Sequence, residues 1–218
     1  MNFWIFGCSS TYAQYIIENI KDANHSITTF SKDVVNYDNP EGFIESIKNI
    51  ELPDIIFFNA NIQSDDFNYE QPIIDQKETF NCFINTWKKG FWFKLCLLKY
   101  LENKMKGTFV FSTSSIPYDK LTYSDCILYR ILRSSEQQLI YSIGGKDTGL
   151  TVAGCCVSDM NETNKKTYAK LVSDHLINKK FNDNNIWSIV GGQYMHKMIM
   201  SWEDHKTFID KGWEYHNE

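Results

Sequence analysis

The chain alternates short, almost wholly apolar runs with longer stretches whose apolar residues return on one helical face. The short runs, NFWIFG, SITTFS, PDIIFFNA, GTFVFSTSS, LTVAGCC and NIWSIVGG, predict strands. The longer ones, TYAQYIIENIKD, GFIESIKNI, INTWKKGFWFKLCLLKYLENK, ILYRILRSSEQQLIYSI and TYAKLVSDHLINKK, predict helices. Strands that are apolar on both faces and alternate with helices belong to a parallel sheet covered on both sides. The fold class that follows is α/β, a doubly wound parallel sheet with helices on both faces in a single domain. Its ligands belong at the carboxyl ends of the strands. The domain is predicted to span residues 1–192. Beyond Gly192 runs QYMHKMIMSWEDHKTFIDKGWEYHNE, residues 193–218, predicted as an amphipathic extension packed on the domain or on a neighbouring subunit.

Composition narrows the classes of function. With 218 residues and 43% hydrophobic content the chain suits one domain with a full core. A net charge of -5 without a basic cluster argues against a nucleic-acid surface, which needs concentrated Lys and Arg to offset phosphate. No apolar run reaches the roughly 18 residues of a membrane span. The start, MNFWIFGCSS, lacks a basic region and a small-residue cleavage site, so a cytoplasmic location away from membranes is expected. The six cysteines match no zinc spacing and read as buried free thiols. His196, His205 and His216 are wrongly spaced to share a metal on one helical face, and no metal is expected.

Three short segments carry candidate chemistry. In FGCSSTYA the first strand turns sharply into a helix, whose free amides form a natural phosphate site; Gly7 lets backbone approach a ligand, and Ser9 and Ser10 flank the turn. Taken alone, this turn fits either a nucleotide site or a serine-capped helix start. The second strand ends TTFSKD, with Ser31 and Lys32 where an acidic residue would grip two ribose hydroxyls. A hydroxyl and an ammonium suit a 2′-phosphate, although a solvated lysine is also common at a strand end. In YRILRSSEQQL one helical turn separates Tyr129 from Arg133, which places both on one face. That is the spacing of a catalytic pair, or of a packing tyrosine beside an exposed arginine. Arg130 and Arg133 are the only arginines among 22 basic residues, so arginine here is informative.

The ordered set GCSSTYA, FNAN, FSTSS, YRILR and IVGG resembles the short-chain dehydrogenase/reductase family over nearly the whole of residues 1–192. The resemblance implies a Rossmann-like sheet in which Gly7 to Ala13, including Ser9, Ser10 and Tyr12, form the phosphate-binding turn. It implies that Asp38 meets the adenine, and that Asn59 and Ala60 of FNAN lie beneath the cofactor. Asn85 matches the asparagine of the central helix, Ser114 the active-site serine with Ser115 an adjacent candidate, and Tyr129 the catalytic tyrosine. Arg133 stands where the family has lysine. The implied cofactor is NADP(H), favoured over NAD(H) by Ser31 and Lys32. The implied reaction is carbonyl reduction or alcohol oxidation on a small or carrier-attached substrate. Ser114 would polarise the substrate oxygen and Tyr129 would protonate it as hydride arrives. A phenol of pKa roughly 10 needs a cation beside it; arginine supplies the charge and could reach the ribose, but cannot pass a proton on. The aromatic helix around Trp87, Phe91, Trp92 and Phe93 has surplus apolar surface, consistent with a homodimer or homotetramer that also uses the Tyr129 helix.

Two departures support a second reading. CCVSDMNET lacks the Pro-Gly turn that packs against nicotinamide in the family. Between it and IWSIVGG there is room for about one helix, where the family often carries a larger substrate lobe. Together with Arg133, these features also suit a non-catalytic dinucleotide-binding protein, a sensor or complex subunit.

Overall fold

The computed structural model describes residues 1–60, 76–113, 127–143, 148–157, 163–181, 186–190 and 194–198. Its strands are β1 (Asn2–Phe6), β2 (Ser26–Phe30), β3 (Ile55–Phe58), β4 (Gly107–Thr113), β5 (Leu150–Val157), β6 (Ile186–Val190) and β7 (Tyr194–Met198). They form one sheet in the order β2-β1-β3-β4-β5-β6-β7. Each of the six apolar runs is a strand of this sheet, and β1 to β6 pair in parallel. The segment predicted as an amphipathic extension departs from expectation at its start, because Tyr194–Met198 pairs antiparallel with β6. A strand in this position satisfies the open backbone edge of β6, a demand that periodicity within the segment does not reveal.

The chain leaves β1 outward to β2, then crosses back to β3 on the other flank, so the crevice between the ends of β1 and β3 is the topological switch point. Phe6 at the end of β1 lies in register with both Phe30 and Phe58. The usual dinucleotide sheet runs 3-2-1-4-5-6. Here β2 is itself the edge, and the outer wall of the crevice is built by residues 31–39 and helix α2 (Pro40–Ile47).

Alternation along the strands assigns the two faces. Trp4, Phe6, Phe58, Phe109 and Phe111 join the core beneath α2, α4 (Phe93–Leu101) and α5 (Ile127–Ile143). Phe3, Ile5, Phe57, Val110 and Cys155 face α1 (Thr11–Asp22) and α6 (Lys165–Ile177). On the first face Phe6 stacks between Phe30 and Phe58, with ring centroids 4.5 Å and 4.8 Å away, while Phe43 of α2 meets it edge-on at 5.8 Å. Each fully buried phenylalanine contributes about 1.5–3 kcal/mol. This aromatic column therefore anchors the strand ends that frame the crevice.

The aromatic helix is longer than its pattern predicts. It runs from α3 (Gln76–Trp87) through a π turn (Lys88–Trp92) into α4, with the N–H of Phe93 donating to the carbonyl of Lys88. Trp87 stacks on Phe91 with centroids 4.9 Å apart. The extra residue of a π turn rotates everything after it. Phe93 and Lys94 both come to face the core, and Trp92 is left 43% exposed. Between β5 and β6 the described residues carry a single helix, α6, as the short spacing predicted.

Candidate functional site

The turn after β1 is held by several independent contacts. Gly7 has φ +72, a left-handed conformation, and its N–H donates to the Phe30 carbonyl at 3.0 Å. A Cβ on Gly7 would lie 2.6 Å from the Ala60 nitrogen and 2.8 Å from the Asn59 carbonyl carbon. Only glycine allows the ends of β1 and β3 to approach this closely. Ser10 caps α1, its Oγ accepting from the Ala13 N–H at 3.2 Å. The Asn59 side-chain amide donates to the same Oγ at 3.2 Å and to the Gly7 carbonyl at 3.4 Å. Ser9 and Ser10 are exposed, and the first turn of α1 carries no acidic residue. The positive end of α1 is therefore open at the switch point.

Tyr12 differs from expectation. It is 4% exposed and packed between α1 and the sheet with Ile16, Ile17 and Tyr168. Burial, with Cys155 and Cys156 nearby, pushes its phenol well above the ordinary value. Its position in the first turn points toward the sheet, so its ring belongs to the core rather than to the outer surface of the turn. Its hydroxyl has no hydrogen-bond partner among the described residues.

The wall formed after β2 starts with a turn in which the Ser31 carbonyl accepts from Val34 and Val35, leaving Lys32 exposed. Tyr37 folds inward against Phe93, ring centroids 4.8 Å apart, and its hydroxyl is also unpartnered among the described residues. Burial, then Cys8, raises this phenol. Asp38, expected at an adenine, pairs with Lys89 of the π turn at 3.3 Å and remains largely exposed. Ala60 is buried beneath Gly7.

The other end of the site lies along α4 and α5. Asn85 is exposed on α3. Tyr129 lies within α5, but its side chain falls outside the described residues, as do Ser114 and Ser115. Thr113, the last residue of β4, is buried with its hydroxyl unpartnered among the described residues. Arg133 is not the exposed arginine of a surface helix. It is 3% exposed, and its Nη1 donates to Glu136 Oε2 at 2.6 Å. Glu136 also binds Lys94 of α4, whose Nζ lies 5.0 Å from the Phe58 ring centroid and 5.5 Å from that of Phe111.

Sequence reasoning did not find Lys94 or Glu136. The available signals were a lone lysine in the apolar run FWFKLCLL and a glutamate three residues after Arg133. Burial works to raise Glu136, but Arg133 and Lys94 outweigh it and hold the carboxyl below its ordinary range. Burial, opposed by Glu136 and reinforced by Arg133, brings Lys94 below the ordinary lysine value.

Cys8, Cys96, Cys155 and Cys156 are free thiols; the last two are buried as expected, whereas Cys8 and Cys96 are only half-buried. Among the described residues no group of three or more His, Cys, Asp or Glu is placed to hold a metal, and no helix is long and apolar enough to cross a membrane.

A parallel sheet wound in both directions from β1, with an open helix start at the switch point, defines the doubly wound α/β class. Within that class, three solved structures share the fold, and two of them are named as small-chain or short-chain dehydrogenases. The protein lin1944 from Listeria innocua superposes with a TM-score of 0.69 at 12% identity, covering 87% of this chain and 100% of that one. A small-chain dehydrogenase in complex with NADPH gives 0.68 at 9% identity, covering 88% of this chain and 97% of that one. A putative short-chain dehydrogenase/reductase from Burkholderia multivorans with bound NADP gives 0.64 at 13% identity, covering 86% and 95%. No protein-family model and no curated protein matches the sequence.

Proposed function

We propose that this protein is an oxidoreductase of the short-chain type, binding NADP(H) across the switch point and reducing a carbonyl or oxidising an alcohol. The observation that carries this reading is the glycine turn. Gly7 in a left-handed conformation backs onto Asn59 and Ala60, while Ser10 and Asn59 fix the open start of α1. This cradle fits a pyrophosphate, because a Cβ would close it and the first turn of α1 carries no carboxylate to repel the anion. The hydroxyls of Tyr37 and Thr113, unpartnered among the described residues, one in the wall after β2 and one at the end of β4, are consistent with a ligand spanning the carboxyl ends of the strands. Lys32, exposed beside Ser31, is the charge that would meet a 2′-phosphate.

When bound, the cofactor supplies hydride. Ser114 would hold the substrate oxygen and Tyr129 would deliver the proton, with Asn85 on the adjoining helix. Two solved structures of this fold hold NADPH or NADP, and that supports the choice of cofactor. A homodimer or homotetramer through the aromatic helix belongs to the same reading and is favoured by the exposed Trp92. The competing reading, a non-catalytic dinucleotide-binding subunit, draws support from Arg133, whose Nη1 is held by Glu136.

Titration with NADPH and NADH, followed by nicotinamide fluorescence, tests the proposal. NADPH is expected to bind tighter by about 1–3 kcal/mol, the value of a charge-assisted contact, and Lys32→Glu to erase the difference. Equal affinities in the unaltered protein overturn the preference; no binding of either overturns the function. Against a panel of carbonyl substrates, Tyr129→Phe is expected to cut turnover by about 100-fold or more with little change in cofactor affinity. Binding without turnover of any carbonyl favours the non-catalytic reading.

A further inference from the structure

Strand β2 stands at the edge of the sheet, with β1 on one side and no described strand on the other. Its pairing with β1 fixes which backbone groups point outward. The Ser26 N–H donates to the Met1 carbonyl at 3.0 Å, and the Phe30 carbonyl accepts from the Gly7 N–H at 3.0 Å. Along a strand the N–H and C=O of one residue point to the same side, and those of the next residue to the other. Ser26, Thr28 and Phe30 therefore serve β1, while Ile27 and Thr29 turn their backbone groups away from it. Among the described residues those outward groups have no hydrogen-bond partner. Thr29 is exposed, and Ile27 and Thr28 are half-buried.

An edge left open in this way usually carries a device against pairing, such as charge, a proline or a bulge. SITTF has no charged residue and no proline, and its register with β1 runs unbroken from Ser26 opposite Asn2 to Phe30 opposite Phe6. The β-branched Ile27, Thr28 and Thr29 are instead residue types that favour a pleated surface. Nothing in the strand opposes a further partner.

We propose that β2 pairs antiparallel with β2 of a second copy of this chain, around a two-fold axis at Thr28. The outward residues lie symmetrically about Thr28, so the two-fold sets Ile27 of one copy opposite Thr29 of the other. Each such pair exchanges both N–H···O=C bonds. Thr28 then meets its own copy in the closer, non-hydrogen-bonded position, where threonine pairs favourably across strands. Charge selects the same arrangement. Lys21 and Asp22 precede the strand and Lys32 and Asp33 follow it, all exposed. Antiparallel copies bring one end against the other, with a cation and an anion on each side. Apolar surface continues past the strand at Val34, which is 68% exposed. The contact uses the same patch on both copies and closes on itself, so it gives a pair and not a fibre. It is separate from assembly through the aromatic helix and independent of the cofactor reading.

The test uses the full chain. On mild oxidation Thr28→Cys is expected to give a covalent dimer, in excess of that formed by the unaltered protein and mapped by mass spectrometry to the substituted position. Thr29→Cys, offset from its own copy along the strand, is expected to give little. In the unaltered protein the Ile27 amide is expected to exchange its hydrogen about tenfold or more slowly at high protein concentration than on dilution. Thr29→Lys, which keeps every backbone donor and adds charge to the edge, is expected to remove that difference. Exchange at Ile27 that neither concentration nor Thr29→Lys alters overturns the proposal. Equal cross-linking at the two positions overturns it as well, since chance collision has no register. Were another protein's strand the occupant, the purified chain would show no cross-link in Thr28→Cys and no effect of its own concentration, and the second copy would be excluded. Trp92→Glu is expected to leave the Thr28→Cys disulfide in place, which separates this contact from the helix-to-helix assembly.

Discussion

Removing Glu136 and removing Lys94 act on the same buried cluster of Lys94, Glu136 and Arg133 but differ in what they leave behind. Glu136→Ala removes the carboxylate that both buried cations contact, and breaking a buried ion pair from one side costs about 3–5 kcal/mol. Lys94→Met keeps the Arg133–Glu136 contact and puts an apolar side chain in an aromatic setting, a change expected to fall within about 1.5 kcal/mol of neutral. Urea unfolding of the two variants checks the asymmetry; equal losses would mean that the cluster is not held by its central carboxylate. His175 provides a second residue-scale outcome. Burial, then Lys180, depresses it against the opposing effects of the Leu171 carbonyl and Asp174. Its folded pKa lies below its unfolded one, so the unfolded chain binds more protons between the two. Its contribution is present above about pH 6.5 and is lost as pH falls through the lowered folded value. Unfolding midpoints measured from pH 7 to pH 5 should fall, and the slope should flatten in His175→Phe, which keeps an aromatic ring near Phe181 and Trp187.

At the scale of elements, the β1–α1 turn is the most demanding local structure. Gly7→Ala forces a side chain into the left-handed region at about 1–2 kcal/mol and also drives a Cβ into the Ala60 backbone. Ser10→Ala removes only the cap, at about 1 kcal/mol, and one of the two acceptors of Asn59. Thermal unfolding should therefore rank Gly7→Ala as clearly the worse change, and nucleotide titration should show binding lost in Gly7→Ala and weakened in Ser10→Ala. The same comparison marks what was readable locally. Gly7 and Ser10 stand out in FGCSSTYA because a strand-to-helix turn needs those residue types. Asn59 enters the turn from 49 residues away, and its role as a brace is a matter of strand pairing. The π turn was not readable either: KKGFW continues an apolar helix pattern, and its wider hydrogen bond appears only with the packing of α4.

At the scale of the molecule, the narrow outer wall and the exposed Trp92 bear on assembly and ligand. Light scattering at micromolar concentration is expected to give a mass of at least twice 25.5 kDa, and Trp92→Glu to shift it toward one chain. A single-chain mass in the unaltered protein would remove the helix-to-helix assembly. With β2 as the edge strand, the wall beyond the switch point is formed by residues 31–39, where Tyr37 is buried and Asp38 pairs with Lys89.

The sequence by itself determined the six parallel strands, a helix in each of the five periodic runs and the position of the glycine turn. Burial on one or both faces leaves a periodic trace in each element, whatever its neighbours are. It also placed Tyr129 and Arg133 one turn apart, since helical spacing is a local property. Only the tertiary structure decided what those elements meet. Tyr12 proved to be core because the first turn of α1 faces the sheet, and Tyr194–Met198 became a strand because β6 offered an edge. Arg133 is held in a buried ion pair with Glu136, which also binds a lysine on another helix, 42 residues from Glu136. Periodicity records which side of an element is buried; the partner buried against it is set by the packing of distant segments, as Lys94 of α4 is set against Glu136 of α5.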